Sequence, residues 1–230
     1  MRELIASQLL FKDIFVPFTL IGRLWPVVVV IFFFSVVLHE VAHGYVAYLC
    51  GDNTARDMGR ITLNPLAHID LFGTLIVPVM LYMLGGFIIG WAKPVPINPN
   101  NFRNIKQDVL KVGASGPLTN FTLAVIFSLI LWILNLIGFS ATPYGFTVTV
   151  IIASAVSVNI ILGMFNLVPI PPLDGSRIVS SLLPYELSVK YDRLAPFGFI
   201  ILILSIRILW PVVISAGNVF YKMLFMGMPI

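Results

Sequence analysis

An all-α polytopic membrane protein is the fold class this sequence predicts. It would have about four full transmembrane helices, a re-entrant or broken segment near residues 71–92, and an N-terminal amphipathic segment. Composition is the first reason: 59% of the 230 residues are hydrophobic and 10% are charged, with a mean hydropathy of +1.00, whereas soluble domains carry roughly 25% charged residues. The second is patterning, because residues 112–173 contain no Asp, Glu, Lys, Arg or His at all. The same numbers exclude a soluble enzyme, a disordered regulator and a fibre. Cys50 is the only cysteine, so no intramolecular disulfide and no cysteine-rich metal site can form. The formal charge of +4 comes without a basic run. Basic residues retained on the cytoplasmic side explain it, and no nucleic-acid partner is expected.

A spanning helix needs about 20 mostly apolar residues. Residues 24–50 supply the first, uncharged until His39, Glu40 and His43 enter its second half. Residues 71–92 are uncharged but interrupted by Pro78 and by Gly85 and Gly86. The long uncharged run has room for two spans, with a turn at residues 140–145, and residues 194–221 form another, interrupted by Arg207. In residues 1–22, Leu9, Leu10, Ile14 and Phe15 alternate with Glu3, Lys12 and Asp13, which suits a helix lying at the interface. No repeat, linker or polar stretch marks a second domain, so a single membrane-embedded domain over residues 1–230 is expected.

Loop charges orient the spans. The loops over residues 52–70, 93–111 and 174–193 all carry Lys or Arg, while the turn at 140–145 carries none. The positive-inside rule puts the three basic loops in the cytoplasm. Two of them flank residues 71–92, so that segment is expected to dip in and return, broken near Pro78 or Gly85 and Gly86.

The chemistry is concentrated in His39-Glu40-Val41-Ala42-His43, an H-E-x-x-H pattern. Four residues apart on a helix, the two imidazoles share a face and can reach one metal ion, with Glu40 beside them as a base. With three His and three Glu in the chain, an accidental match is expected only about 0.0005 times. Ionisable groups inside an apolar helix are costly unless paired or metal-bound, and two imidazoles plus a carboxylate favour zinc. Asp174 is the expected third ligand. It closes the uncharged run after Pro169, Pro171 and Pro172, which break the helix, and before Gly175, whose backbone freedom would help aim the carboxylate. The charge-derived topology returns Asp174 to the end of the bundle that holds both histidines. His68 is left as a loop residue, structural or solvated.

Three motifs in order resemble the site-2 protease family of intramembrane zinc metalloproteases: His39 to His43, Gly116-Pro117-Leu118-Thr119-Asn120, and the run from Asn166 to Gly175. Gly90 to Pro96 and Thr62-Leu63-Asn64-Pro65 are similar to its small bacterial and archaeal branch, which lacks PDZ and CBS domains. The resemblance implies zinc held by His39, His43 and Asp174, Glu40 as catalytic base, and substrate contacts from Asn166 and Asn120. It also implies membrane-protein substrates with a transmembrane helix, cleaved in the lipid bilayer of a prokaryotic plasma membrane towards the cytoplasmic side. A zinc-binding membrane scaffold or chaperone without turnover, and a zinc transporter, are the alternative readings.

Overall fold

The computed structural model describes residues 24–77, 79, 80, 83 and 90–228. Among these the chain is helical without strands. The principal helices are α1 (Trp25–Leu49), α2 (Thr54–Asp57), α3 (Ile105–Leu136), α4 (Pro143–Asn166), α5 (Asp174–Leu182), α6 (Tyr185–Asp192) and α7 (Gly198–Phe225). Four stretches are long and apolar enough to cross a membrane: α1, α3, α4 and the stretch that contains α7. The expected N-terminal amphipathic segment lies outside the described residues.

Helix boundaries follow local chemistry. Pro26 and Pro143 stand in the first turns of α1 and α4, where a missing N–H costs nothing. Thr142 caps α4 by accepting from the Gly145 N–H at 2.9 Å. Asn104 caps α3, its side chain accepting from Gln107, while its own N–H donates to Asp108 at 2.9 Å. Thus α3 starts at Ile105, ahead of the uncharged run, and its first turns carry Lys106, Asp108 and Lys111. The turn between α3 and α4 runs through Phe139–Ala141, a little earlier than expected, because Pro143 opens the helix instead of interrupting it.

α4 is the central helix: 61% of its most apolar stretch is buried, against 17–28% for the other three spans. Ala153, Ser154, Ala155 and Ser157 let its neighbours approach closely. α1, α3 and α7 all pack against it. The main apolar core joins Ala124 and Leu131 of α3, Val150, Val156 and Ile160 of α4, and Tyr221 and Phe225 of α7.

The ends of the 71–92 segment meet. Trp91 N–H donates to Gly73 O at 3.0 Å, and Lys93 N–H to His68 O at 2.9 Å. Gly73 leaves room for the Trp91 ring, since a Cβ there would stand 2.3 Å from its Nε1. Asp70 starts a π-helical turn, Leu71–Ile76, by accepting from the Phe72 and Gly73 amides. A segment whose two ends are hydrogen-bonded cannot cross the membrane once, as loop charge required. The predicted break at Pro78 or Gly85 and Gly86 lies outside the described residues.

Asp52 ties the next loop to the end of α1. Its fully buried carboxylate accepts from Asn98 N–H at 2.7 Å, Asn101 Nδ2 at 2.8 Å, and the Thr54 N–H and hydroxyl. Burial works against its charge, but these donors outweigh it and hold the carboxyl below its ordinary value. At the same end of the bundle, Lys106 Nζ donates to Leu183 O at 3.0 Å, joining the start of α3 to the end of α5.

Candidate active site

The H-E-x-x-H helix delivers the geometry its spacing predicts. His39 and His43 lie one turn apart on the inward face of α1, both buried, with ring centroids 4.7 Å apart. Asp174 is the first residue of α5, after α4 has ended at Asn166 and the proline-containing turn has redirected the chain. Asp174 Oδ2 lies 3.0 Å from His39 Nε2 and 3.1 Å from His43 Nε2, and the two Nε2 atoms are 3.0 Å apart. Three donor atoms drawn from residues 131 and 135 positions apart thus form a nearly equilateral triangle.

The far side of each imidazole fixes its tautomer. His39 Nδ1–H donates to Asn120 Oδ1 at 2.6 Å, and His43 Nδ1–H to Val112 O at 2.7 Å. Asn120 cannot present its amide nitrogen instead, because that nitrogen donates to Asn159 Oδ1 at 2.9 Å and to Ser35 O at 3.5 Å. Asn159 is itself held by donating to Ser35 Oγ at 3.0 Å and Ala155 O at 2.9 Å. Both Nε2 atoms therefore offer lone pairs, assigned from the hydrogen bonding. Two lone pairs and a carboxylate oxygen converging in a buried space repel one another unless a cation lies among them. In a tetrahedral zinc site with bonds of about 2.0–2.1 Å, ligand atoms stand about 3.3 Å apart. The observed triangle is a few tenths of an ångström tighter, so the residues fit that ion.

Gly116 is what lets α3 approach. A Cβ on it would stand 2.5 Å from Nε2 of both His39 and His43. Gly175 acts in the same way. It does not adopt the unusual backbone angle anticipated from sequence, and is required because a Cβ would press to 2.2 Å from Leu167 O, where α5 meets the end of α4.

Glu40, next to His39, is half-buried, and its Oε2 accepts the Val95 N–H at 2.9 Å. Asn120, expected from the resemblance to contact substrate, is fully buried behind His39 and has no surface to offer one. It sits where it can orient His39. Asn166 is partly exposed at the last turn of α4, with its amide donating to Leu162 O at 2.9 Å. His68 is fully buried, and its Nε2–H donates to Thr62 O at 2.9 Å, which holds its loop together. Sequence reasoning passed over Gly116, Ser35, Val112 and Val95 as site residues. Asn159 was visible as a polar residue in an apolar span, which is the signal that could have placed it there.

Fold and site together define a polytopic membrane protein whose helices enclose three donor atoms that could hold a metal ion. The chain matches peptidase family M50 over residues 27–152 and 144–205, and it belongs to that family, the site-2 protease family. It is 35% identical over 202 residues to the Bacillus subtilis protein named "Putative zinc metalloprotease YwhC", an alignment covering 85% of this chain and 89% of that one. It is 26% identical to zinc metalloprotease MJ0392 of Methanocaldococcus jannaschii, over 84% of this chain and 44% of that protein. A third relative, "Putative zinc metalloprotease Rip2" of Mycolicibacterium smegmatis, is 28% identical over 74% of this chain and 62% of its own length. No solved structure matches the chain. Family and relatives support a zinc metalloprotease.

Proposed function

We propose that this protein is an intramembrane zinc metalloprotease that hydrolyses peptide bonds within or near transmembrane segments of membrane proteins. The observation that carries the reading is the convergence of His39 Nε2, His43 Nε2 and Asp174 Oδ2 inside helices apolar enough to span a membrane, with Glu40 beside them. His39, His43 and Asp174 hold the zinc. When bound, zinc supplies Lewis acidity that polarises a carbonyl and acidifies water.

Each protein group has its task. The Val95 N–H fixes one oxygen of Glu40, leaving the other to take a proton from the attacking water and deliver it to the leaving amine. Asn120 and the Val112 carbonyl keep both imidazoles in the tautomer that binds metal. Asn166, partly exposed one loop before Asp174, contacts substrate backbone or the developing oxyanion by resemblance to the family. A substrate helix has to unwind locally, because a helical amide is hydrogen-bonded and shielded. The histidines lie in the half of α1 nearest the basic loops, so the positive-inside rule puts the centre towards the cytoplasm, where water has a short route.

Replacing Glu40 by Gln tests this against a scaffold or transporter. With a single-span substrate in vesicles, Glu40→Gln should abolish cleavage while bound zinc per chain stays at the wild-type level. Undiminished cleavage would remove Glu40 as the base, and a wild-type protein that is zinc-loaded yet cleaves no such substrate would remove the protease reading.

A further inference from the structure

Arg60 is a buried cation, 9% exposed, with no carboxylate partner among the described residues. Its Nη2 donates to the carbonyl oxygens of Lys93 at 2.9 Å and Pro94 at 3.4 Å, and its Nε is buried without a partner. Two neutral acceptors are weak compensation for desolvating a guanidinium. Stability alone therefore gives little reason for an arginine here, unlike the backbone segment that it grips.

That segment runs from Trp91 to Asn98 outside any helix and meets α1 through Val95. Lys93 is gripped on both sides, its carbonyl by Arg60 and its N–H by His68 O at 2.9 Å. Pro94 and Pro96 have no N–H and favour extended backbone before them. Val95 is therefore the one amide donor of residues 94–96, and it donates to Glu40 Oε2 at 2.9 Å. The Val95 side chain is buried against Gly44, one turn along α1 from Glu40, where an added Cβ would come within 2.9 Å of Val95 Cγ1. An unbroken path thus leads from the guanidinium through two carbonyls to the donor that holds the carboxylate.

We propose that Arg60 is a positioning residue for the catalytic base: by holding the Lys93 and Pro94 carbonyls it fixes the Val95 N–H, which orients Glu40. The inference rests on the reading of Glu40 as base. Arg60 touches neither substrate nor metal ligand, so its removal slows turnover without loosening zinc or substrate.

The test uses the full-length zinc-loaded protein in vesicles with a single-span peptide that the wild type cleaves and Glu40→Gln does not. A wild type that does not cleave counts against the protease reading, and cleavage by Glu40→Gln counts against Glu40 as the base. The effects of Arg60 are read only when both controls hold. Arg60→Gln and Val95→Pro should each lower kcat roughly 10- to 100-fold, as expected for losing a hydrogen bond to a charged group. KM should stay within about twofold, since an effect confined to turnover leaves it unchanged. Bound zinc should match the wild type. Because both changes act through one hydrogen bond, the double variant should be no slower than the slower single one. Arg60→Lys should recover part of the rate, and Arg56→Gln, on the surface of α2, should change nothing. Multiplying losses in the double variant, a parallel loss of zinc, or wild-type kcat in Arg60→Gln would overturn the proposal. If Arg60→Gln does not fold, wild-type kcat in both Arg60→Lys and Val95→Pro overturns it equally.

Discussion

His39 and Glu40 are neighbours in α1, yet they are held by different kinds of structure. Behind His39 stands the helical bundle: Asn120 of α3, Asn159 of α4 and Ser35 of α1 are linked side chain to side chain in the membrane interior. Behind Glu40 stands irregular backbone, the Val95 amide on a segment whose Lys93 carbonyl is held by Arg60. The bundle relies on fully buried side chains that have no water to turn to, so each lost partner leaves an unsatisfied group. The segment relies on a backbone donor whose position depends on a loop. The proposed metal binding and proton transfer should therefore be separable, although the residues assigned to them are adjacent.

The largest expected effect comes from crowding the metal side without touching a ligand. Gly116→Ala puts a methyl group where the two Nε2 atoms leave 2.5 Å. It should abolish both zinc retention and cleavage, whereas Glu40→Gln abolishes cleavage alone. Retention of full zinc by Gly116→Ala would break the division between the two regions. A weaker effect in the same direction is expected from Asn120→Ala, which frees the His39 ring and unseats Asn159. Zinc affinity measured by chelator competition should fall roughly 10- to 100-fold, the usual cost of losing a ligand's outer partner.

The smallest effect sharpens the contrast from the loop side. Asp52→Asn replaces a buried acceptor of several hydrogen bonds and should lower unfolding stability by about 1–3 kcal/mol with little change in zinc affinity. The wild-type carboxyl is held below its ordinary value of 3.8. Its contribution is then fully present above about pH 4 and is lost as pH falls through the depressed folded value. Denaturation followed against pH should show the gap between wild type and Asp52→Asn narrowing in that acidic window and constant above it.

What sequence reveals follows the same division. His39, Glu40 and His43 are legible because helical spacing converts directly into a shared face, and Asp174 because a carboxylate ending a long uncharged run needs a reason. The return of residues 71–92 is legible from loop charge, since two basic loops cannot face opposite compartments without cost. Glu40's partner is not legible, because Val95 contributes a backbone amide that any residue but proline could supply. Gly116 is visible as a letter in a motif, but its reason is a 2.5 Å approach that only packed helices reveal. Asn120 is legible as a motif residue, but its place behind His39 is visible only once the helices are packed. The freedom attributed to Gly175 failed for a similar reason: a neighbour's carbonyl needed the space.

Asp174 lies 135 residues after the first histidine it meets. During synthesis, the early helices enter the bilayer long before that carboxylate leaves the ribosome. A truncated or stalled product ending before it holds both imidazoles and Glu40, yet cannot close the triangle. Such a fragment would carry half of the proposed chemistry and none of its consequences.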